Sequence, residues 1–309
     1  MPTNVITNSI VGSQMPNKLL RMKNNLMNAG FVLLLLLFLV SCGGNTKSDV
    51  NVPTENAQRN INVPTEFCEE LVKLAEEGIE EAQINLGKCY AKGEGVDKNN
   101  EEANKWFLKA AEQGNTDAMA EMGNAYLNGW GVSVDNQEAI KWFQKAADKG
   151  NAVAMSNLGV CYEKGLGVKQ DYHQAYNYFK KAAEQNNASA QLFLGDYYRY
   201  HYSKIGIAHD ENEAFKWYLK AAEQGLADAQ YQVGLSYTLS FGANRNIPKA
   251  IEWYKKAGEQ NHAMALYNLG VIYMNGEDVP QDFNKGVEYF QKSASLGEQK
   301  AIDALRSLR

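Results

Sequence analysis

The sequence predicts an all-α, right-handed α-solenoid built from a tandem repeat of two helices. Three observations carry this prediction. A glycine recurs at steps of 36, 36, 36, 39 and 36 residues, and a tyrosine follows each glycine by three residues. An aromatic pair follows each tyrosine by sixteen residues in five repeats and by nineteen in repeat 4, which carries a three-residue insertion. The glycines are Gly87, Gly123, Gly159, Gly195, Gly234 and Gly270. This register defines six full repeats over residues 80–297.

Each repeat is predicted to begin with a helix, called helix A, because small or apolar residues fall at i, i+4, i+5 and i+8 on one helical face. In repeat 1 these residues are Ala82, Leu86, Gly87 and Tyr90. A glycine inside a helix costs about 1 kcal/mol relative to alanine. Its recurrence in six repeats predicts a close backbone-to-backbone approach at this position.

A second helix, called helix B, is predicted to follow an Asn or Asp N-cap, which stands at one position in all repeats. The caps are Asn99, Asp135, Asp171, Asp210, Asn246 and Asp282. A Glu or Gln three residues later predicts a capping box in the first four repeats. Lys249 and Lys285 hold that position in the last two repeats and predict weaker caps.

Helix B is predicted to end before a residue with left-handed backbone, because only Gly and Asn stand there. These residues are Gly114, Gly150, Asn186, Gly225, Asn261 and Gly297. At the ends of the array, residues 66–77 match a lone helix B and residues 299–308 match a lone helix A. The outermost units of a solenoid need such caps because no neighbour covers them.

Composition excludes several classes of protein. Of the 309 residues, 45% are hydrophobic and 22% are charged, which excludes a chain that is disordered throughout. The net charge of −5 argues against a nucleic-acid-binding surface. The four histidines follow no metal-ligand spacing, and the sequence contains neither Gly-x-Ser-x-Gly nor Ser-x-x-Lys. We therefore predict no catalytic residues, no metal and no cofactor.

The N-terminal region has the pattern of a secretion signal. Residues 29–40 form a 12-residue apolar run preceded by basic residues. The run ends in Leu39-Val40-Ser41-Cys42, which resembles a bacterial lipobox and implies cleavage before Cys42 and lipidation of its thiol. The predicted domains are a signal peptide over residues 1–41, the lipidated Cys42 with a flexible tether over 42–65, and the repeat solenoid over 66–309.

Two points about this segment stay open. The run is short for a bilayer span, but an uncleaved anchor helix is the alternative to a signal peptide. Met22 would be a more typical start, so residues 1–21 are a candidate for a misassigned extension. The predicted location is the bacterial cell envelope, anchored by lipid at the outer membrane and facing either the periplasm or the outside.

The repeat pattern Ala-x-x-x-Leu-Gly-x-x-Tyr-x-x-Gly-x-Gly-Val-x-x-Asp, followed by Ala-x-x-Trp-Phe-x-Lys-Ala-Ala, resembles the Sel-one-like repeat (SLR) family, which is tetratricopeptide-like. The resemblance implies that helices A line the concave side of a scaffold that binds protein or peptide and is not an enzyme. Repeats 4 and 5 depart from the pattern, since segments 199–208 and 240–245 replace the Gly-x-Gly loop.

The predicted partner-binding residues lie on the outward side of helix A and in an aromatic segment of repeat 4. They are Asn85, Asn124, Asn157, Phe193, Asp196, Tyr200, His201 and Tyr202. Amide side chains can hydrogen-bond a peptide backbone in both directions, and aromatic residues carry much of the energy at interfaces. The alternative for the helix A residues is a solvated helix face without a partner. The alternative for the aromatic segment is local packing around the inserted residues.

The cysteines other than Cys42 leave one question open. Cys89 and Cys161 occupy the same repeat position and are expected to be buried thiols. A disulfide between Cys68 and Cys89 is an alternative for that pair. The less favoured functions are an envelope hydrolase acting on cell-wall or β-lactam substrates and a structural or regulatory lipoprotein without a ligand.

Overall fold

The structure is a computed structural model that describes residues 65–276 and 278–308, with side chains from residue 70 onward. The predictions for the signal peptide, Cys42 and the tether lie outside these residues, and so does the side chain of Cys68. Every regular element in the described part is a helix. None of these helices is long and apolar enough to cross a membrane.

Each repeat consists of helix A and helix B, as predicted. Helices A are Glu80–Lys92, Thr116–Asn128, Ala152–Lys164, Ala188–Asp196, Ala227–Leu239 and Ala263–Asn275. Helices B are Asn100–Glu112, Asn136–Asp148, Tyr172–Glu184, Glu211–Glu223, Ile247–Glu259 and Phe283–Ser295. The predicted half-repeats are the helices Thr65–Glu76 and Gln299–Ser307. Each helix packs mainly on the helix before it and the helix after it in the chain, which is the packing of an α-solenoid.

The repeat glycine of helix A lies against an aromatic ring, not against another backbone. In repeat 1 a Cβ atom on Gly87 would stand 2.5 Å from Cε1 of Phe107, the second residue of the aromatic pair in helix B. The same ring position meets the glycine in the other five repeats. The prediction that another backbone approaches this glycine was therefore wrong, because the neighbour is an aromatic ring. The prediction that no side chain fits at this position is confirmed.

The predicted ends of helix B are confirmed. The six residues that follow helix B, called the C′ residues, all have positive φ, from 62° at Asn261 to 107° at Gly114. All six N-cap side chains accept a hydrogen bond from the backbone N–H three residues later, including those of Lys249 and Lys285.

The reciprocal half of the capping box is absent from the described repeats. The N–H of each cap residue instead donates to the carbonyl of the repeat tyrosine at the end of helix A, as from Asn99 to Tyr90 at 2.8 Å. Glu102 pairs with Lys105 at 2.7 Å. The recurrent tyrosine position thus supplies a backbone acceptor that connects helix A to helix B.

The three-residue insertion of repeat 4 lengthens helix A. The helix continues from Asp196 through a π-helical turn, Tyr197–His201, into a final turn, Tyr202–Ile205. Segment 199–208, which stands in place of the Gly-x-Gly loop, is therefore helical as far as Ile205. In repeat 5 the loop keeps its geometry, since Ser240 and Gly242 both have positive φ, at 62° and 68°. The expectation that this loop was replaced was wrong.

Three repeats bury a glutamine of helix A at the junction with the preceding repeat and pair it with an exposed glutamine of helix B. Gln191 in helix A donates to the carbonyl of Ala183 in the preceding helix B at 3.3 Å, and it accepts from Gln224 of its own helix B at 2.8 Å. Gln83 with Gln113, and Gln230 with Gln260, repeat this arrangement. Met119, Met155 and Leu266 hold the helix A position in the other repeats. Buried amides of this kind need partners, and here both come from defined positions.

Candidate binding surface

The outward side of the six helices A forms one surface, called here the A-face. It comprises the positions equivalent to Asn85, Lys88, Ala91 and Lys92 of repeat 1. The first three positions are partly exposed in every repeat, and the fourth is exposed in every repeat. A regular strip of accessible side chains therefore runs along the repeats.

The A-face of repeats 1 to 3 is mainly polar. Asn157 donates to Oδ1 of Asn124 at 2.9 Å, which joins helices A of repeats 2 and 3, and Asn124 donates to Glu121 at 3.3 Å. Asn85 is partly exposed in repeat 1. The structure thus brings two of the three predicted asparagines together and leaves Asn85 apart from them.

The A-face of repeats 4 to 6 carries more apolar side chains. Phe193 occupies the position of Asn157 and stacks on Phe179 with ring centroids 4.5 Å apart. The other apolar members are partly or fully exposed, as are the tyrosines one position before the face in repeats 5 and 6. These residues are Tyr200, Leu235, Leu239, Val271 and Met274, with Tyr231 and Tyr267.

The aromatic segment divides into exposed and packed members. Tyr200 is 51% exposed, whereas Tyr197 is 0% exposed. His201 lies between the rings of Tyr197 and Tyr172, at centroid distances of 5.4 and 6.4 Å, and Tyr202 lies 4.9 Å from the ring of His209. Of the three predicted residues of this segment, Tyr200 is therefore the most accessible to a partner.

Asp196 is partly engaged inside the repeat. Its carboxylate accepts a hydrogen bond of 2.7 Å from the hydroxyl of Tyr218. Burial raises the pKa of Asp196, and the Tyr218 hydrogen bond opposes this shift. One of its oxygens is thus already committed to helix B of its own repeat.

Arg199 belongs to the aromatic segment over residues 197–202 that the sequence predicts as an interaction site, whereas Phe241 was not predicted. The guanidinium of Arg199 lies 4.2 Å from the ring centroid of Phe241 and 5.0 Å from that of Tyr200, and it donates to Gln232 at 3.2 Å. Arg199 occupies the position of Ala91 in the repeat pattern. An arginine where the other repeats have Ala, Leu, Glu, Thr and Met was the signal available in the sequence.

The described part of the chain contains no group of three or more His, Cys, Asp or Glu side chains that could hold a metal ion. The thiol of Cys161 is fully buried, and burial raises its pKa to about 11. A thiol of that pKa is almost entirely protonated near neutral pH and is a poor nucleophile.

Comparisons with known proteins agree with this architecture. The Sel1 repeat family model matches six consecutive segments, 80–115, 116–151, 152–187, 188–226, 227–262 and 263–298. No curated protein shows significant similarity to the chain.

Two solved structures are similar. One is the protective antigen c5321 of uropathogenic Escherichia coli, which displays an SLR fold. It has 33% identity and a TM-score of 0.62, over 79% of this chain and 52% of that protein. The chain therefore spans about half the length of that antigen. The other is a Sel1 repeat protein from Oxalobacter formigenes, with 30% identity and a TM-score of 0.66, over 75% of this chain and 99% of that protein.

Sel1 repeat proteins generally mediate protein–protein interaction, and the family is typically a non-enzymatic scaffold. The six matched segments cover well over half of the chain. Together with the observed helix pairs and their nearest-neighbour packing, they show that the chain belongs to the Sel1 repeat family.

Proposed function

We propose that the protein is a lipid-anchored scaffold of the bacterial cell envelope that binds a protein or peptide along the A-face. The observation that carries the proposal is the A-face itself, where four positions per repeat remain accessible through all six repeats. Extended surfaces of this kind fit elongated ligands.

The side chains of the A-face support a binding role over a purely structural one. Leu239 and Tyr200 are 52% and 51% exposed, and both lie on helices whose other side is packed in the core. An apolar strip left in water is typical of an interaction site. Arg199, held between aromatic rings, adds a residue type that is enriched at interface hot spots.

The anchor is supported by the lipobox at Leu39-Val40-Ser41-Cys42. A single acyl chain binds a membrane only marginally, whereas two or more give stable attachment. A diacylglycerol thioether at Cys42 would therefore hold the repeat domain at the membrane, with residues 43–64 between the lipid and the first helix.

Site-specific photocrosslinking in the native membranes tests this proposal. A photoreactive amino acid at Asn85, Asn157 or Asn268 should give crosslinked products, because these positions lie on the A-face. Matched positions on the exposed side of helix B, such as Lys105 and Lys141, should give none. Equal crosslinking from both sets of positions would contradict binding along the A-face.

A further inference from the structure

Arg199 differs from the other two arginines of the described part because it forms no ion pair with a carboxylate, although its charge opposes the rise in the pKa of Asp196. Arg245 pairs with Asp278, and Arg306 lies 3.4 Å from Asp303. No carboxylate of the described residues lies within 4.0 Å of the Arg199 guanidinium. The guanidinium therefore has no carboxylate partner within the described residues and is available to an anionic ligand.

The Arg199 side chain is held in place before any ligand binds. Phe241, from the loop of repeat 5, covers the guanidinium at 4.2 Å, and Tyr200 lies at 5.0 Å. Cation–π contacts of this kind attract the guanidinium to the ring faces. Gln232 accepts one of its five N–H donors. The remaining donors are left for a planar anion, which arginine binds through two parallel hydrogen bonds.

The position of Arg199 on the A-face defines what surrounds such an anion. Toward repeats 5 and 6 the neighbouring side chains include Tyr231, Leu235 and Leu239, all at least partly exposed. Toward repeat 1 the face carries both acidic and basic side chains, which are Glu163, Lys164, Glu121, Lys88 and Lys92. The face continues on both sides of Arg199, so a bound chain can extend past it in both directions.

We propose that Arg199 anchors the side-chain carboxylate of an Asp or Glu within a peptide segment whose adjacent residues are large and apolar. This inference rests on the proposed function, because it assigns the chemistry of a partner of the A-face. The carboxylate pairs with the guanidinium, and the apolar residues cover the exposed part of repeats 4 to 6. Burial beside apolar groups strengthens an ion pair of this geometry relative to one in water.

The test uses the full chain and a library of random 12-residue peptides displayed internally on phage, so that no peptide carries a free C-terminus. The enriched peptides should contain an Asp or Glu next to large apolar residues. The tightest one is then made as an amidated synthetic peptide, and its Kd is measured by fluorescence anisotropy. Arg199→Gln should weaken binding at least tenfold, and Arg199→Lys should weaken it less. Arg245→Gln is the matched control and should leave the Kd unchanged.

A second measurement separates an ion pair from a change in folding. Replacing the peptide Glu by Gln should weaken binding to the wild-type protein at least tenfold but should have little effect on the Arg199→Gln variant, because both changes remove the same pair. Thermal unfolding of Arg199→Gln should match the wild type within a few degrees.

The outcomes distinguish the inference from the proposed function. If peptides bind and Leu235→Asp abolishes their binding while Arg199→Gln does not, the A-face binds ligands but the anchor is wrong. Enriched peptides without acidic residues, or a requirement for a free C-terminus, would also overturn the anchor. If no peptide is enriched, or if Leu235→Asp leaves binding intact, the A-face proposal itself is contradicted.

Discussion

One edge of the Phe179 ring lies against the backbone of Gly159, so that a Cβ atom on this glycine would stand 2.6 Å from Cε1 of the ring. Phe179 is fully buried, and its other neighbours include Phe193 and Tyr197. The ring therefore has little room to move away, and the contact makes glycine a requirement of packing at this position.

Gly159→Ala should destabilise the protein by about 1–2 kcal/mol. In an open helix this change stabilises by about 0.5–1 kcal/mol, but overpacking a close-packed core costs about 1–3 kcal/mol. Urea unfolding measures the difference. Phe179→Leu in the same chain is the control, because a smaller side chain should relieve part of the cost and make the two effects non-additive. A Gly159→Ala variant more stable than wild type would show that the ring moves freely.

Gly150→Val should destabilise by about 1 kcal/mol or more, because Gly150 has φ of 91° and a β-branched residue resists the left-handed region. A Cβ at this position would meet no atom within 4 Å, so the effect is one of backbone conformation alone. Gly150→Asn is the matched control and should cost less, since Asn186 and Asn261 occupy the equivalent position with positive φ. Equal thermal midpoints for the Val and Asn variants would contradict this explanation.

His262 should make the stability of repeat 6 depend on pH. Its Nδ1 accepts the hydrogen bond from the N–H of Ala265 at 3.2 Å, and its Nε2 lies 3.3 Å from Asp228. Burial lowers the pKa of His262, while Asp228 opposes the shift. A lowered pKa in the folded state means that the unfolded chain binds the proton more readily. The stabilisation is therefore complete above about pH 6.5 and is lost as the pH falls through the lowered pKa.

His262→Asn provides the control for this pH effect, because asparagine caps helix A at the equivalent position of repeats 2, 3 and 4. Urea unfolding at pH 8 and pH 5 should show a larger loss of stability in the wild type than in the variant. A cap of this kind contributes about 0.5–2 kcal/mol. An identical pH dependence in the two proteins would exclude His262 as its source.

Tyr197→Ala should cost about 3–5 kcal/mol, as expected for removing a fully buried aromatic side chain. Tyr200→Ala should change stability by less than about 0.5 kcal/mol, because surface substitutions rarely exceed that value. The two tyrosines lie in the same π-helical turn, so thermal unfolding of the pair separates packing from exposure. A triple Ala variant of Tyr200, His201 and Tyr202 should lose stability, since His201 and Tyr202 pack against other rings.

Cys42→Ala should abolish lipidation and release the protein from membranes or stall it as a precursor. In the wild type, mass spectrometry should find an acylated peptide that begins at Cys42. Cys89→Ala keeps the lipobox intact and serves as the control. A mature protein that retains residues 29–40 would contradict cleavage before Cys42.

The sequence predicted best those features that depend on one residue at a fixed place in the repeat. The C′ residues Gly114 and Asn186 show this, since few other residues adopt positive φ without strain. The predictions failed where the conformation or hydrogen bond of a residue depends on a partner elsewhere in the repeat. The reciprocal half of the capping box was wrong because the N–H of Asn99 donates to the carbonyl of Tyr90, which no local motif reveals.

The candidate surface was predicted less completely for the same reason. The π-helical turn of repeat 4 places Tyr197 inward and Tyr200 outward, and periodicity over 36 residues does not contain that information. The contact between the Arg199 guanidinium and the Phe241 ring joins two residues that lie 42 positions apart in the chain. Such a contact follows from how repeats 4 and 5 stack and not from either repeat alone.

The glutamine pairs bear on how such an array can change its length. Both members of a pair, such as Gln191 and Gln224, belong to one repeat. The previous repeat contributes the backbone carbonyl of Ala183 and the side-chain oxygen of Asn186 as further acceptors. Recombination at repeat boundaries would therefore add or remove whole units without separating the two glutamines of a pair. A crossover inside a repeat could join helix A of repeat 4 to helix B of repeat 6, which has Leu296 at the position of Gln224. The oxygen of the buried Gln191 amide would then lose its hydrogen-bond donor. Selection should therefore preserve duplications that begin and end at repeat boundaries.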